Sequence, residues 1–267
     1  MFSSYSPDQT SGLLRRLQQR KRYDRMEAVF ADIHSHLVPG VDDGSRDEAM
    51  SRALLEQAEA EGIRLLIATP HNYPDHSEDS IGRVKAQFEL LKELNRTIHS
   101  PLQLYLGNEV YYRDAIVEDL EEGRALTMTG TRYVLTEFHP GDSQDRVMRG
   151  IRRVISGHYR PIIAHVERIE AFSGDPQALS YLKDMGARLQ VNARTMTGGL
   201  FDRRSRFWRN MAAEGVITFL GSDAHHPAHR PVIMREAYLK LKKTMDEAQL
   251  GRLFYENALT MLNDKTI

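Results

Sequence analysis

The chain has 267 residues, one large domain or two small ones at ~150 residues apiece, and its 41% apolar content is enough to bury a core and exclude wholesale disorder. Lys+Arg number 36 against 37 Asp+Glu, a formal net charge of −1, so no overall basic field is present for nucleic acid or anionic membrane. Zero cysteines exclude disulfides, zinc–thiolate sites, iron–sulfur clusters and a cysteine nucleophile, which leaves any metal to nitrogen and oxygen ligands.

Residues 1–29 crowd Arg15, Arg16, Arg20, Lys21, Arg22 and Arg25 into a helix-compatible stretch, read as a basic N-terminal extension. A solvated helix packed loosely on the domain accounts for it; a docking segment for a partner or membrane surface is the alternative. Leu13-Leu14 run straight into Arg15-Arg16, so no signal-peptide core is formed. No run approaches the ~18 apolar residues of a membrane span, and the expected location is cytoplasmic.

From Val29 onward short β-branched runs alternate with amphipathic helical stretches. Strands are expected at Val29–His34, Arg64–Thr69, Leu102–Glu109, Tyr133–Phe138, Pro161–His165, Ala187–Asn192 and Val216–Gly221. Ser45-Arg46-Asp47-Glu48 reads as a capping box opening a helix that presents Met50, Leu54, Leu55 and Ala58 and stops at Gly62. The next helix shows Ile81, Val84, Phe88, Leu91 and Ile98 at helical spacing. Thr244-Met245-Asp246-Glu247 opens a last one with Leu250, Leu253 and Phe254. Seven β-then-α units without a composition break argue for an α/β parallel barrel over residues 30–267 as a single domain, with a doubly wound open sheet as the alternative.

The residues at the end of each strand carry the chemistry. The first strand ends in Asp32-Ile33-His34-Ser35-His36 and then Asp42-Asp43-Gly44, the second in Thr69-Pro70-His71, the third in Gly107-Asn108-Glu109, the fourth in Thr136-Glu137. The fifth gives Ala164-His165-Val166-Glu167-Arg168 and the seventh Gly221-Ser222-Asp223-Ala224-His225. Six strands of seven thus deliver a histidine or carboxylate to the edge where parallel barrels gather active sites. On a strand, residues i and i+2 point the same way, so His34 and His36 can reach one ion together. Five histidines (His34, His36, His71, His165, His225) and four carboxylates (Asp43, Glu109, Glu137, Asp223) exceed what one or two ions need. Such a ligand set suits Mn²⁺, Zn²⁺ or Fe²⁺. Three divalent ions outweigh the four carboxylates and leave the site electropositive, an attractor for an anion. Arg168 and Arg230 flank the late ligands and can fork onto phosphate oxygens, so the pattern leans towards phosphoester hydrolysis.

With these motifs the sequence resembles the polymerase-and-histidinol-phosphatase (PHP) superfamily of metal hydrolases. Within it, the likeness is to the bacterial manganese-dependent protein-tyrosine phosphatases of capsular and exopolysaccharide operons. The carrying stretches are His34 through Gly44, Ala68-Thr69-Pro70-His71, Gly107-Asn108-Glu109-Val110-Tyr111-Tyr112, Ala164-His165-Val166-Glu167-Arg168 and Gly221-Ser222-Asp223-Ala224-His225. The resemblance implies a distorted (β/α)7 TIM-like barrel with three divalent ions, Mn²⁺ first among them, at the C-terminal ends of the strands. It implies that His34, His36, Glu109 and Asp223 hold the first ion. Glu109 would bridge to a second, held by Glu137 and His165, and a third would take Asp43, His71 and His225. Arg168 and Arg230 would grip phosphate and form the catalytic set with Asp223 and His225. A metal-bridging hydroxide would attack phosphorus. The implied substrate is a phosphotyrosine protein, a tyrosine autokinase governing polysaccharide export.

Other residues are read more plainly. Asp42 is expected to support the ligands without being one. His76 and His139 are rim residues or proton relays, His99 and His158 solvated, and His226 and His229 loop residues, the latter within reach of substrate. Tyr111 and Tyr112 stack on an aromatic leaving group or pack, and Trp208 with Phe207 and Met211 belongs to the core. Among rival functions, a histidinol-phosphate-type phosphatase shares the barrel and metal logic. An amidohydrolase would place a modified lysine where this chain has Glu109 and Glu137, and a nuclease-type domain would call for a basic stripe, which this chain lacks outside residues 1–29.

Overall fold

A computed structural model describes residues 28–72, 80–199 and 201–267. The basic stretch 1–29 lies outside them except for Ala28 and Val29, as does His76 in the loop after His71. The strands are β1 (Phe30–Ser35), β2 (Ile63–Ala68), β3 (His71–Asn72), β4 (Gln103–Leu106), β5 (Glu109–Tyr111), β6 (Tyr133–Glu137), β7 (Arg160–Ile163), β8 (Arg188–Asn192) and β9 (Phe219–Gly221). All named pairings are parallel, in the orders β1-β2-β4 and β3-β5-β6-β7-β8-β9. Hydrogen bonds from Gly107 N to Ala68 O (2.9 Å) and from Glu109 N to Pro70 O (3.2 Å) carry one sheet into the other. At the far edge Asp223 N donates to His34 O (2.8 Å) and His36 N to Ala224 O (2.9 Å), which brings the last strand end to the first.

Alternation explains the curl. Ala31 and Ile33, Leu65 and Ile67, Tyr133 and Leu135, Ile162 and Ala164, and Phe219 join one buried cluster, although their strands are far apart in the sheet order. Only a sheet bent into a half-barrel brings them together. The intervening residues Leu66, Val134, Ile163, Leu189, Val191 and Leu220 join the larger cluster with the surrounding helices. Those helices come after the strands, as right-handed parallel crossovers require. The helix Glu48–Glu61 buries Leu54, Leu55 and Ala58 and ends at Gly62, whose φ of 92° a side chain would resist. Trp208 and Met211 are buried in the helix Arg203–Ala213, as expected. No helix among the described residues is long and apolar enough to cross a membrane.

Several local expectations differ from the structure: Ile98 lies beyond the helix Ser80–Asn95, and the last strand is shorter than Val216–Gly221. The helix after the first loop is capped by Asp47, which accepts from Met50 N (2.8 Å), because the Ser45 hydroxyl is committed to Asp47 O and Ser51. The single strand expected at Leu102–Glu109 is split at Gly107-Asn108. Asn108 there donates to Pro70 O (2.8 Å) and accepts from Leu126 N (2.9 Å), and a Cβ on Gly107 would lie 3.3 Å from Met128 Cα. The last helix is also broken: Asp246 and Gln249 make the capping box at Glu247–Gly251, and a π-turn at Arg252–Glu256 precedes Asn257–Leu262.

Candidate metal centre

The nine expected ligand side chains lie at strand ends and in the loops that follow them, with His71 and Glu109 opening the short strands β3 and β5 beyond β2 and β4. His34 is on β1, whose pairing register with β2 shifts between Asp32 and Ser35. His71 is on β3, Glu109 on β5 and Glu137 at the end of β6, on the same face as Leu135. His165 and Asp223 come after β7 and β9 with φ of 27° and 53°, a left-handed region that non-glycine residues enter at a cost.

Glu109, buried to 1% exposure, is the hub. Its Oε2 lies 3.1 Å from His34 Nε2, 3.2 Å from His36 Nε2 and 3.2 Å from His71 Nδ1, while Oε1 lies 2.7 Å from His165 Nε2. Four groups have ligand atoms within 4.8 Å of one another: His34/His36/Asp223, His36/Asp43/His71/His225, His34/Glu109/His165 and His71/Glu109/Glu137. The first holds three of the four residues expected for the first ion, without Glu109, and the second holds the three expected for the third ion together with His36. The expected middle set is shared out differently, since His165 sits with His34 while Glu137 sits with His71; His165 Nε2 is still 3.7 Å from Glu137 Oε1.

Hydrogen bonds behind the rings fix which nitrogen faces inward. Asp42 Oδ2 is 2.7 Å from His36 Nδ1 and also accepts from His71 N (3.0 Å), so the carboxylate accepts a hydrogen bond from the ring's Nδ1–H and, in the neutral ring, leaves the Nε2 lone pair for an ion. His225 Nδ1 lies 2.9 Å from the carbonyl oxygen of Asp223, which can only accept, and Nε2 is again left free of a proton in the neutral ring. Asp42 thus holds the His36 ring and the His71 backbone and belongs to none of the four groups. Gly44 is required here, because a Cβ would meet His36 Cβ and O at 2.4 Å.

The electrostatics is that of a site built for cations. Burial opposes charge on His34 and His36, but Glu109 carries His34 above its ordinary value and Asp42 carries His36 well above. Burial would raise Glu109 and Asp223, yet the surrounding imidazoles hold both below the carboxylate range. Both Glu109 oxygens, Glu137 Oε2 and His225 Nε2 are buried without a hydrogen-bond partner. Lone pairs that crowd within 2.7–3.5 Å of ring nitrogens yet bond none of them are expensive to bury. Divalent cations remove that cost, so the donor set fits an oxygen- and nitrogen-ligated metal. Asp32 is fully buried behind the site, and burial pushes its carboxyl up to about 6 despite hydrogen bonds from Ser222 and His34.

Arg168 and Arg230 reach the centre from its open side. Each donates an NH2 to Asp223 Oδ2, at 2.6 and 2.7 Å, while their side chains stay 40% and 38% exposed. Two polar residues of β8 were not foreseen. Gln190 and Asn192 stand at i and i+2 on the same face, Gln190 beside His34 and Asn192 beside Asp223; their alternation with Leu189 and Val191 was the available signal. Elsewhere, Tyr112 packs on Phe138 (centroids 4.9 Å), and His99, His139, His158 and His229 are exposed.

Comparison with known proteins places this arrangement. The capsular polysaccharide synthesis family CpsB/CapC matches residues 30–263. The tyrosine-protein phosphatase CpsB of Streptococcus pneumoniae is 28% identical over 241 residues, 88% of this chain and 99% of that one. The tyrosine-protein phosphatase YwqE of Bacillus subtilis is 30% identical over 240 residues, covering 88% and 92%. A crystal structure from work on YwqE and CpsB, described as metal-dependent tyrosine phosphatases, superposes with TM-score 0.80 at 28% identity over 89% of this chain and 96% of that one. A D-hydantoinase, at 11% identity and TM-score 0.56 over 89% and 72%, shares the fold alone. The chain belongs to the capsular polysaccharide synthesis CpsB/CapC family.

Proposed function

We propose that this chain is a metal-dependent protein-tyrosine phosphatase. The observation that carries the reading is the convergence of five histidines and four carboxylates around buried, unbonded Glu109 oxygens, with two arginines at the open edge. In this reading His34, His36, Glu109 and Asp223 hold one ion, Glu109, Glu137 and His165 a second, and Asp43, His71 and His225 a third, with Mn²⁺ preferred and Zn²⁺ or Fe²⁺ as substitutes. These residues would hold ions whose Lewis acidity would serve the hydrolysis.

The protein's own part is to bind and orient. Asp223 gives Oδ2 to Arg168, Arg230 and Asn192 and keeps Oδ1 for an ion, 3.7 Å from His34 Nε2. Each guanidinium has five N–H donors and spends one on Asp223, so the rest can clamp the phosphate oxygens against the cluster. Asp223 and His225, with these arginines, make up the catalytic set. Glu109 and Glu137 occupy the place where an amidohydrolase would carry its modified lysine, which disfavours that chemistry.

The same reading takes residues 30–267 as one (β/α)7 barrel of the PHP type and residues 1–29 as a basic extension outside it. It places the enzyme in the cytoplasm, acting on a tyrosine autokinase of polysaccharide export. The test is turnover of a phosphotyrosine peptide against histidinol phosphate by chelator-stripped protein with Mn²⁺ restored. Metal-dependent release from the peptide is expected. Turnover of histidinol phosphate alone would overturn the substrate while leaving the centre in place.

A further inference from the structure

We infer that Gln190 and Asn192 form a positioning relay that presents His34, His165 and Asp223 to the metal centre. Gln190 lies in β8 with no exposure at all, where an amide is costly unless its polar atoms are used. Its Oε1 accepts from the backbone N–H of His165 at 2.6 Å, and a backbone N–H is always a donor. That contact fixes the amide's orientation. His34 Nδ1, 3.1 Å from the same oxygen, must then carry a proton. When His34 is neutral its lone pair is therefore on Nε2, the atom that faces Glu109, His36 and Asp223.

The other end of the amide is equally constrained. Gln190 Nε2 donates to Asn192 Oδ1 at 3.0 Å, which turns the Asn192 amide so that Nδ2 donates to Asp223 Oδ2 at 2.7 Å. Both ends of the chain demand the same orientation of both amides, so the relay has one consistent polarity. It ties together two ligands of one ion, and it also holds the His165 backbone, whose φ of 27° is unfavourable without such support. The neighbouring strand leaves room for it: a Cβ on Gly221 would lie 2.6 Å from His34 Cβ and 3.0 Å from Gln190 Nε2. Gln190 is closed off from solvent and Asn192 is buried, and both act through the residues they hold.

This inference rests on His34, His165 and Asp223 being metal ligands, but not on the identity of the substrate. The test uses the full chain with ¹⁵N-labelled histidine, first stripped of metal and then titrated with Mn²⁺. The parent is expected to show a water-protected Nδ1–H for His34. Gln190→Leu should lose that signal and bind Mn²⁺ about 10–100-fold more weakly. Gln190→Glu keeps the acceptor and should keep the signal, with affinity nearer the parent's. Asn192→Ala should keep the His34 signal yet weaken Mn²⁺ binding, separating the two arms in a protein whose Gln190 is intact. A protected His34 Nδ1–H with parental affinity in Gln190→Leu, or parental affinity in Asn192→Ala, would overturn the relay. So would a Gln190→Glu protein that folds but loses the signal. The imidazole signal is recorded without substrate, so these results stand apart from any failure to cleave phosphotyrosine.

Discussion

Asp42→Asn isolates the contribution of one supporting carboxylate. Asp42 takes three hydrogen bonds: His36 Nδ1 at 2.7 Å and His71 N at 3.0 Å on Oδ2, and Gly44 N at 3.0 Å on Oδ1. An asparagine must turn its NH2 towards one of these donors, so one contact becomes donor against donor. The bond to His36 also loses its charge. Hydrogen bonds to charged groups contribute about 1.5–3 kcal/mol, which at about 1.4 kcal/mol per decade gives about 10- to 100-fold weaker metal binding. Calorimetric titration of Mn²⁺ into the stripped chain reads this directly. Stability gives a second check with a definite sign. Burial would raise Asp42, but His36 holds its carboxyl well below the ordinary range. The stability it contributes is therefore present above that range and is lost as pH falls. Parent and variant should differ at neutral pH and converge in acid. Mn²⁺ affinity within twofold of the parent, with no neutral-pH stability loss, would mean that Asp42 does not hold the ring for the ion.

Other outcomes rest on the same contacts. Glu109 and Asp42 keep His34 and His36 above their ordinary values, so an entering ion must displace protons. Apparent Mn²⁺ affinity should rise with pH and release protons, as titrations in buffers of different ionisation enthalpy will show; pH-independent binding would contradict this. Arg168→Ala and Arg230→Ala should each raise KM for a phosphotyrosine peptide about tenfold or more while metal content is retained, and an unchanged KM would remove these arginines from phosphate binding. Asp32, raised by burial from 3.8 to about 6, is stabilising while protonated and loses that contribution as pH rises through about 6. In the metal-free chain the stability difference between parent and Asp32→Asn should shift by about 2 kcal/mol between pH 4 and 7, measured by urea unfolding. A constant difference would mean that Asp32 is not raised.

The parts of the site legible in the sequence are those written as short alternations at strand ends. His34 and His36 are two residues apart at the end of β1, and that spacing puts both rings at one place, whereas Asp223 and His225 follow β9 through a left-handed turn that alternation does not foretell. Asp42 was legible as a support because it adjoins Asp43. The grouping of Glu137 with His71 was not, since it depends on how far β3 and β5 shift along each other after the break at Gly107-Asn108. That break was hidden because Leu102–Glu109 reads as one strand, and only the packing of Met128 against Gly107 shows why it cannot be. Ser45 and Asp47 are equally good caps by composition; Ser51, a helix turn away, decides between them. Gln190 and Asn192 escaped notice because amides have no metal signature, and their use emerges only when β8 stands between His165 and Asp223.

Phosphotyrosine hydrolysis and metal occupancy are both assigned to this one cluster. They are tied together most directly by measuring phosphate release from a phosphotyrosine peptide and bound metal in the same samples, as Mn²⁺ is added to stripped parent and Asp223→Ala protein. A shared cluster requires no release without metal, activity that rises with occupancy in the parent, and neither full occupancy nor turnover in the variant. Hydrolysis by the stripped parent, or undiminished hydrolysis by Asp223→Ala, would show that the cluster is not where the ester is cleaved.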